Sequence, residues 1–251
     1  MFEPALKLPS VTKSEVLDKL YLDLSNELSP DIDIVVEEGT TNYIDRYKAG
    51  IRRLMQDYGA EQARQRVKDL TEQSLPNASD LEDATIEYYQ AMTKVEQEMA
   101  TSSNLAGISQ GNLGLLIVSS DGYGGRTAEG EKWSVIYSGF LDMDFPPTNT
   151  IQSGETGIID YSDESFDAYR STYTEQRRKE YVLQYLANAA KREIGHQFGL
   201  LDSAGDLGYA MRIDIDREKA EHFQHDANPA YYYHGDRDGL LIKLKEWALQ
   251  E

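Results

Sequence analysis

Hydrophobic residues recur every three or four positions in two stretches near the start of the chain, and this spacing predicts amphipathic helices. The first stretch, residues 12–28, carries one apolar stripe and is followed by a proline, which is typical of a helix end. A second helix is predicted for residues 42–58. Two further helices, rich in glutamine, glutamate and tyrosine, are predicted on either side of Pro76, at residues 60–74 and 80–101.

Short apolar runs predict three β-strands, at residues 31–36, 113–118 and 133–137. A glycine-rich stretch, residues 121–125, lies between the last two strands. It lacks the spacing and the following helix of a phosphate-binding loop, so we interpret it as a turn. Helices combined with a few strands predict an α/β protein, in particular of the α+β kind.

A long helix is predicted upstream of Gly199, and it carries the most informative polar residues of the chain. Thr174 is a candidate N-cap, and Gly199 is a candidate for ending the helix. Glu193 and His196 continue the spacing of the apolar stripe, so we expect both side chains to face the core, where polar groups need partners. The stripe is formed by Val182, Leu186, Ala189, Glu193 and His196.

The run from Arg192 to Asp202 resembles the zinc-binding motif HExxHxxGxxH/D of the metzincin metallopeptidases, most closely their matrixin-like branch. Glu193 matches the general base of that motif, and His196 matches its second histidine. Gly199 matches the glycine at the turn, and Asp202 matches the third metal ligand. Arg192 stands where the motif has its first histidine, and a permanently charged guanidinium cannot coordinate zinc.

A methionine turn follows the third ligand in metzincins and forms an apolar floor beneath the metal. Residues 206–211 resemble that turn, which makes Met211 the candidate floor residue. The resemblance implies a metzincin-like domain with a mixed twisted sheet, an active-site helix and a methionine turn. Additional N-terminal, inserted and C-terminal helices would surround this domain.

The same resemblance suggests how the chain is divided. Residues 1–29 would be an N-terminal helical extension, and residues 30–215 would be the metzincin-like domain. A helical insertion would occupy about residues 60–104 of that domain. Residues 216–251 would be a C-terminal extension.

Each candidate site residue also has an ordinary structural interpretation. His196 could be a hydrogen-bonded core histidine, and Glu193 could be a surface carboxylate. Asp202 could begin an Asx-type turn, and Met211 could be ordinary core. Arg192 could be a solvated helix residue, or its charge could replace that of the metal by pairing with Glu193 or Asp202.

Two functions follow from these alternatives. The favoured hypothesis is a catalytically impaired metzincin metalloprotease homologue that acts as a structural or binding subunit, in a halophilic virus or host assembly. Zinc would then be weakly bound or absent. The alternative is an active zinc-dependent endopeptidase with Glu193 as general base and with His196 and Asp202 as ligands. His222 and His225 are candidate replacement ligands in that case.

Further candidates lie outside the motif. Residues 218–225 and 240–249 are predicted as helices. The cluster Tyr231–Tyr233 is either a contact surface or part of the core, since tyrosine combines a large apolar area with a polar tip. The metzincin resemblance also makes calcium a candidate cofactor, because metzincin sheets often lie beside structural calcium sites. Four acidic residues after the last predicted strand could supply the oxygen ligands. They are Asp142, Asp144, Asp160 and Asp163.

Composition narrows the range of partners. The chain has 44 Asp+Glu against 25 Lys+Arg, a formal net charge of -19, and no cysteine. This acidity argues against nucleic-acid binding and suggests a halophilic source, while the missing cysteines exclude disulfides and thiol chemistry. No apolar run is long enough to span a membrane, and no signal peptide is recognisable at the start. We therefore expect protein partners or self-assembly, and a cytoplasmic or virion-associated location.

The net charge predicts that the folded state gains stability with salt. Screening should relieve the repulsion among the excess carboxylates, and each kcal/mol gained raises the Tm by about 2–4 °C in a chain of this size. Thermal melts in low and in molar KCl measure this effect. Melts in potassium sulfate separate screening from the general stabilising action of the salt. A Tm that does not change with KCl would remove the argument for a halophilic protein.

Overall fold

The computed structural model divides into two compact units, Met1–Thr41 with Ser109–Glu251 and Asn42–Ile108. We call them the sheet unit and the helical unit. The helical unit includes the segment predicted as an insertion together with the helix before it. The residues that the structure describes are 1–2, 11–29, 31–39, 42–73, 77–101, 112–118, 125–127, 132–137, 150–153, 157–160, 175–202, 210–211 and 230–249.

The first helix confirms the prediction for residues 12–28. Helix α1 spans Lys13–Leu28 and begins at a capping box, in which the Glu15 backbone N–H donates to the Thr12 hydroxyl at 3.3 Å. The Thr12 N–H donates in return to the Glu15 carboxylate at 2.9 Å, so two N–H groups at the helix start have partners. The apolar stripe is buried at Val16, Leu20, Leu24 and Leu28.

The prediction of a strand at residues 31–36 is wrong, although its alternation is real. Ile32, Ile34 and Val36 are half-buried against the core, but the segment is not hydrogen-bonded into the sheet. The first residues of the chain pair with the edge of the sheet at Ile117 instead. Phe2 forms a parallel bridge with Ile117, whose N–H donates to the Met1 carbonyl at 2.9 Å.

The helical unit contains three helices among its described residues, and they confirm the predictions for this part of the chain. Helix α2 spans Asn42–Asp57, α3 spans Ala60–Thr71 and α4 spans Ala78–Thr101. Gly59 joins the first two with φ 73°, a left-handed conformation that glycine adopts without steric cost. Helix α4 packs along α3, and α2 packs on both.

The main sheet has three described strands and is mixed. Strand β1 spans Gly114–Val118, β2 spans Gly125–Thr127 and β3 spans Trp133–Tyr137, in the spatial order β1-β3-β2. β1 runs parallel to β3, and β2 runs antiparallel to it. The strands predicted at residues 113–118 and 133–137 are therefore confirmed. β2 starts at Gly125, the last residue of the predicted turn and the only one of that turn in the described ranges.

Two short strands were not predicted. Strand β4 spans Thr150–Ser153 and pairs antiparallel with β5, which spans Gly157–Asp160. Helix α5 then spans Glu175–Gln197, and helix α6 spans His234–Ala248, which confirms and extends the helix predicted at 240–249. None of the helices in the described ranges is long and apolar enough to cross a membrane.

Helix α5 is the centre of the sheet unit. One of its faces packs on α1 and on the main sheet, where Val182 and Leu186 meet Ile117 and Ile136. Its last turns pack against α6 through a second cluster that includes Ile194 and Phe198. The unit is thus a mixed helix-and-strand structure, as the sequence predicts at the coarse level of fold class.

A buried lysine joins α5 to α1. The Lys191 ammonium is 1% exposed and lies 3.5 Å from a Glu27 carboxylate oxygen and 3.8 Å from one of Asp23. It also donates to the Ala230 carbonyl, and the Tyr232 N–H donates to Glu27. Burial raises the pKa of Glu27, while the charge of Lys191 opposes that rise. Two acids of one helix and one cation of another therefore depend on each other.

We expect Lys191→Met to lower the free energy of unfolding by about 3–5 kcal/mol, because two buried carboxylates lose their cation while the packing of the side-chain stem is kept. The matched control is Lys19→Met, since Lys19 contacts the same Asp23 at 2.8 Å from a more exposed position. That control should cost only about 0.2–1 kcal/mol. Urea unfolding followed by circular dichroism measures both. Equal losses in the two variants would contradict the assignment of a buried charge cluster.

Candidate functional site

The candidate site is built on the last two turns of α5. Gly199 has φ 74° and ends the helix in a Schellman motif, where the Leu200 N–H donates to the Gly195 carbonyl at 3.0 Å and the Gly199 N–H donates to that of His196 at 2.9 Å. The prediction that Gly199 ends this helix is confirmed. The turn brings Asp202 back beside the helix.

Arg192 and Asp202 form a bidentate salt bridge. The Arg192 Nε donates to Asp202 Oδ1 at 3.0 Å, and its Nη2 donates to Oδ2 at 2.8 Å. Such parallel bonds are the strongest geometry available to a guanidinium and a carboxylate. The Arg192 side chain is 15% exposed, so it is not the solvated helix residue of the ordinary interpretation.

His196 shares the same carboxylate. Its Nε2 lies 3.2 Å from Asp202 Oδ1, and its Nδ1 lies 2.9 Å from the Leu200 carbonyl oxygen. Both ring nitrogens therefore have partners within the turn. The oxygens of Asp202 are likewise engaged by Arg192 and His196, while residues 203–205 of the alternative Asx-type turn lie outside the described ranges.

The electrostatics of this cluster are coupled. Burial alone would raise the pKa of Asp202, but hydrogen bonds from His196 and Arg192 lower it to about 2. Burial alone would lower the pKa of His196, but the hydrogen bond to Asp202 and the negative charges of Glu193 and Asp202 raise it above its ordinary value. The arrangement thus favours an ionised Asp202 beside a protonated His196.

Glu193 is completely buried rather than a surface carboxylate. Its Oε1 accepts from Arg192 Nη1 at 3.3 Å, and its Oε2 accepts from the Thr127 hydroxyl at 2.6 Å. A β-carbon at Gly125 would lie 2.6 Å from Glu193 Cγ, so any other residue there would force the buried Glu193 side chain or the strand to shift. Both carboxylate oxygens are held by the protein.

A relay of hydrogen bonds leads from the helix end back to Glu193. Gln197 Nε2 donates to the Ser134 hydroxyl at 2.8 Å, and the hydroxyls of Ser134 and Thr127 are 2.8 Å apart. Because Thr127 donates its single proton to Glu193, Ser134 is the donor between the two hydroxyls. β2 and β3 thereby fix the carboxylate of α5 from the side of the sheet.

Met211 lies against α5 beside the site. It is 1% exposed, and a β-carbon at Gly195 would collide with its sulfur. Met211 also belongs to the apolar cluster formed by Ile194, Phe198 and neighbouring residues. Met211 therefore packs against the helix at Gly195, the residue before His196. Of the predicted methionine turn, the structure describes only Ala210 and Met211.

Several residues of the site are not predicted by the sequence. Thr127, Ser134 and Gly125 lie about 60 or more positions from Glu193 along the chain, and no local pattern links them to it. Two lysines at the helix end were also missed. Lys132 donates to the Gln197 carbonyl and Lys243 donates to that of Phe198 at 2.6 Å, so both satisfy carbonyls that the helix leaves open.

The remaining candidates fall into two groups. Tyr232 is buried, whereas Tyr231 and Tyr233 are 56% and 55% exposed, so the tyrosine cluster is divided between core and surface. The other candidates lie outside the residues whose side chains the structure describes. They are Asp142, Asp144, Asp160, Asp163, Thr174, His222, His225 and the predicted helix 218–225.

The motif residues that the structure describes are not arranged as a zinc site. Within the described part of the chain, no three His, Cys, Asp or Glu side chains converge as metal ligands. His196 and Asp202 are the two ligand-type residues of the motif, and both are engaged with the guanidinium or with backbone. A metal between them would have to displace Arg192.

Comparisons of this chain with protein-family models, with curated proteins and with solved structures find no match.

We expect Asp202→Asn to lower the free energy of unfolding by about 1–3 kcal/mol, because Arg192 and His196 lose the negative charge that they share and one of its two acceptor oxygens. The loss should depend on pH. The pKa of Asp202 is lowered from 3.8, so its stabilisation is present above pH 3.8 and disappears as the pH falls toward about 2. The pKa of His196 is raised from 6.5, so its stabilisation is complete below pH 6.5 and disappears as the pH rises through the folded value.

The difference between wild type and variant should therefore be largest between about pH 4 and pH 6.5. Urea unfolding at several pH values measures it. Asp31→Asn is the control, since Asp31 is an exposed aspartate that pairs with Arg237 and Lys245 at 3.4 and 3.3 Å. If the two variants have the same pH profile, the coupled cluster is not a source of stability.

Proposed function

We propose that this chain is a catalytically impaired metzincin homologue that acts as a structural or binding subunit. The observation that carries the proposal is the ion pair of Arg192 with Asp202, together with the contact of Arg192 with Glu193. The guanidinium supplies a positive charge at the position where the family motif places a metal ligand. In this proposal Arg192 takes over the electrostatic role of the metal and none of its chemistry.

The state of Glu193 supports the loss of catalysis. A general base has to reach the proton of an attacking water molecule. Here one oxygen of Glu193 is held by Arg192 and the other by Thr127, and the side chain is inaccessible to solvent. The carboxylate therefore has a structural role, which is to neutralise Arg192 and to bind the hydroxyl relay.

The local architecture supports descent from the metzincin motif. Glu193, His196 and Asp202 lie in one helix-and-turn unit ended by Gly199, and Met211 packs beneath it. Beyond Gly199 the chain returns, so that Asp202 contacts Arg192 and His196 in the last two turns of the helix. We infer that the shape of a metal site has been kept while its chemistry has been replaced by a salt bridge.

A non-catalytic subunit acts by binding. The large negative charge and the exposed Tyr231 and Tyr233 are compatible with protein partners or self-assembly, and the acidity favours a salt-rich setting such as a halophilic virus or its host.

We expect Arg192→His to create a zinc site. The new imidazole and that of His196 would lie one turn apart on the same face, and Asp202 would supply an oxygen, which gives three protein ligands. Without zinc, the variant should be less stable than wild type by about 1–4 kcal/mol, since Asp202 and Glu193 lose their cation. Zinc should restore much of this loss, as measured by the Tm during a zinc titration.

Arg192→Gln is the matched control, because it removes the same charge without adding a ligand, and zinc should not restore its stability. Elemental analysis of the wild-type protein should find well under one zinc per chain. One tightly held zinc in the wild type, with cleavage of generic peptides, would overturn the proposal in favour of an active peptidase. An Arg192→His variant that is as stable as wild type and indifferent to zinc would contradict the motif alignment.

A further inference from the structure

Positive charge is concentrated in one short part of this acidic chain. Residues 46–68 contain seven Lys+Arg and two Asp+Glu, whereas the whole chain carries a net charge of -19. This part covers most of α2 and α3 in the helical unit. Two of these cations already pair with acids, Arg66 with Glu87 at 2.9 Å and Lys68 with Glu72 at 3.9 Å. The exposed arginines of α2 are the ones that can offer positive charge to an anionic partner.

The first surface involved lies on α2. Arg46, Ala49 and Arg53 are all exposed, and their spacing of three and four positions places them on one face of the helix. We call these three residues the arginine face. Neither arginine forms an ion pair with any residue in the described ranges; the Arg46 guanidinium lies 5.5 Å from the Tyr43 ring. Arginine is well suited to bind carboxylates in pairs of hydrogen bonds.

A complementary surface lies on the extended segment that the sequence predicted as a strand. Asp33, Val35 and Glu37 alternate with the half-buried Ile34 and Val36, so the former three face solvent on one side. We call Asp33, Val35 and Glu37 the acidic strip. Val35 is 83% exposed, and neither acid of the strip forms an ion pair with a residue that the structure describes.

The two surfaces match in length. Seven residues of helix separate the two arginines by about 10 Å. Four residues of extended chain separate the two acids by about 13 Å. Arginine side chains are long enough to span the remaining difference. Ala49 leaves a shallow apolar position between the arginines, where the side chain of Val35 would fit.

We propose that the arginine face of one copy of this chain binds the acidic strip of a second copy. This inference deepens the proposed function, because it names the partner of the non-catalytic subunit. Each copy carries one face and one strip, so the contact is heterologous and leads to a ring or a chain of copies. Arg192 takes no part in it.

Salt should affect this contact in two ways. At about 0.1 M salt the Debye length is about 10 Å. Screening then weakens the long-range repulsion between two acidic copies more than it weakens ion pairs in direct contact. At about 1 M salt the Debye length is about 3 Å, and the contacts themselves weaken. Association should therefore be stronger at the lower of these two concentrations, whereas the folded state is expected to gain stability with salt.

Sedimentation velocity of the full chain at several protein concentrations tests the proposal, with circular dichroism to verify folding at each salt concentration. If the protein unfolds at the lower concentration, the lowest salt at which it is folded is used. We expect species larger than one chain. Arg53→Glu should weaken the association by about tenfold or more, because it places like charges opposite each other. The matched control is Lys94→Glu, which makes the same charge change at an exposed position of α4 and should have little effect.

Exchanging the charges of the arginine face and the acidic strip tests whether these two surfaces bind each other. The variant R46E/R53E and the variant D33R/E37R should each be monomeric, but an equimolar mixture should form mixed species that are larger than one chain, because each variant then meets surfaces of opposite charge on the other. A chain with all four substitutions should regain self-association.

A wild-type protein that remains a single chain at every salt concentration would overturn the proposal. So would association that is equally weakened by Lys94→Glu, or variants that do not recombine. Binding of a single-stranded oligonucleotide by the arginine face, without self-association, would instead identify a nucleic-acid surface. These outcomes do not bear on the loss of catalysis in the proposed function, because zinc binding and peptide cleavage test that part. Conversely, zinc in the wild type would not alter the sedimentation result.

Discussion

Two adjacent cations on α5 must be neutralised where water is largely excluded, and much of the sheet unit is arranged to do this. Lys191 meets Asp23 and Glu27 of α1, while Arg192 meets Glu193 and Asp202. Neither cation is stable there without its acids, because an unpaired buried charge costs several kcal/mol. The position of α1, the turn after the helix and the segment around Ala230 can each be understood as a consequence of this requirement.

The same requirement explains the form of the candidate site. A helix end normally leaves carbonyl groups open and frays. Here Gly199 closes the backbone, two lysines satisfy the last carbonyls, and Asp202 binds two side chains of the preceding turns. The result is a compact cluster of paired charges at the end of the helix, in which Arg192, Glu193, His196 and Asp202 all have partners.

The sequence was sufficient wherever the controlling interaction is local. Helix phases, the inward direction of Glu193, the helix end at Gly199 and the pairing of Arg192 with Glu193 or Asp202 follow from spacings of one to ten residues. It was insufficient where partners are far apart in the chain. No local pattern links the Thr127 hydroxyl to Glu193. The alternation at residues 31–36 predicts a strand that does not form, because alternation reports burial but not hydrogen bonding. The metzincin relationship and the domain limits remain predictions.

The Schellman turn and its attached charges have a consequence for how the protein opens. In α5 the start is solvated, with Gln176 and Glu180 exposed, whereas the end is tied to the sheet, to α6 and to Asp202. Local unfolding begins where buried contacts are fewest. Helix α5 should therefore unwind from its first turns, and the amide hydrogens around Glu193 should be among the last in the helix to exchange with solvent.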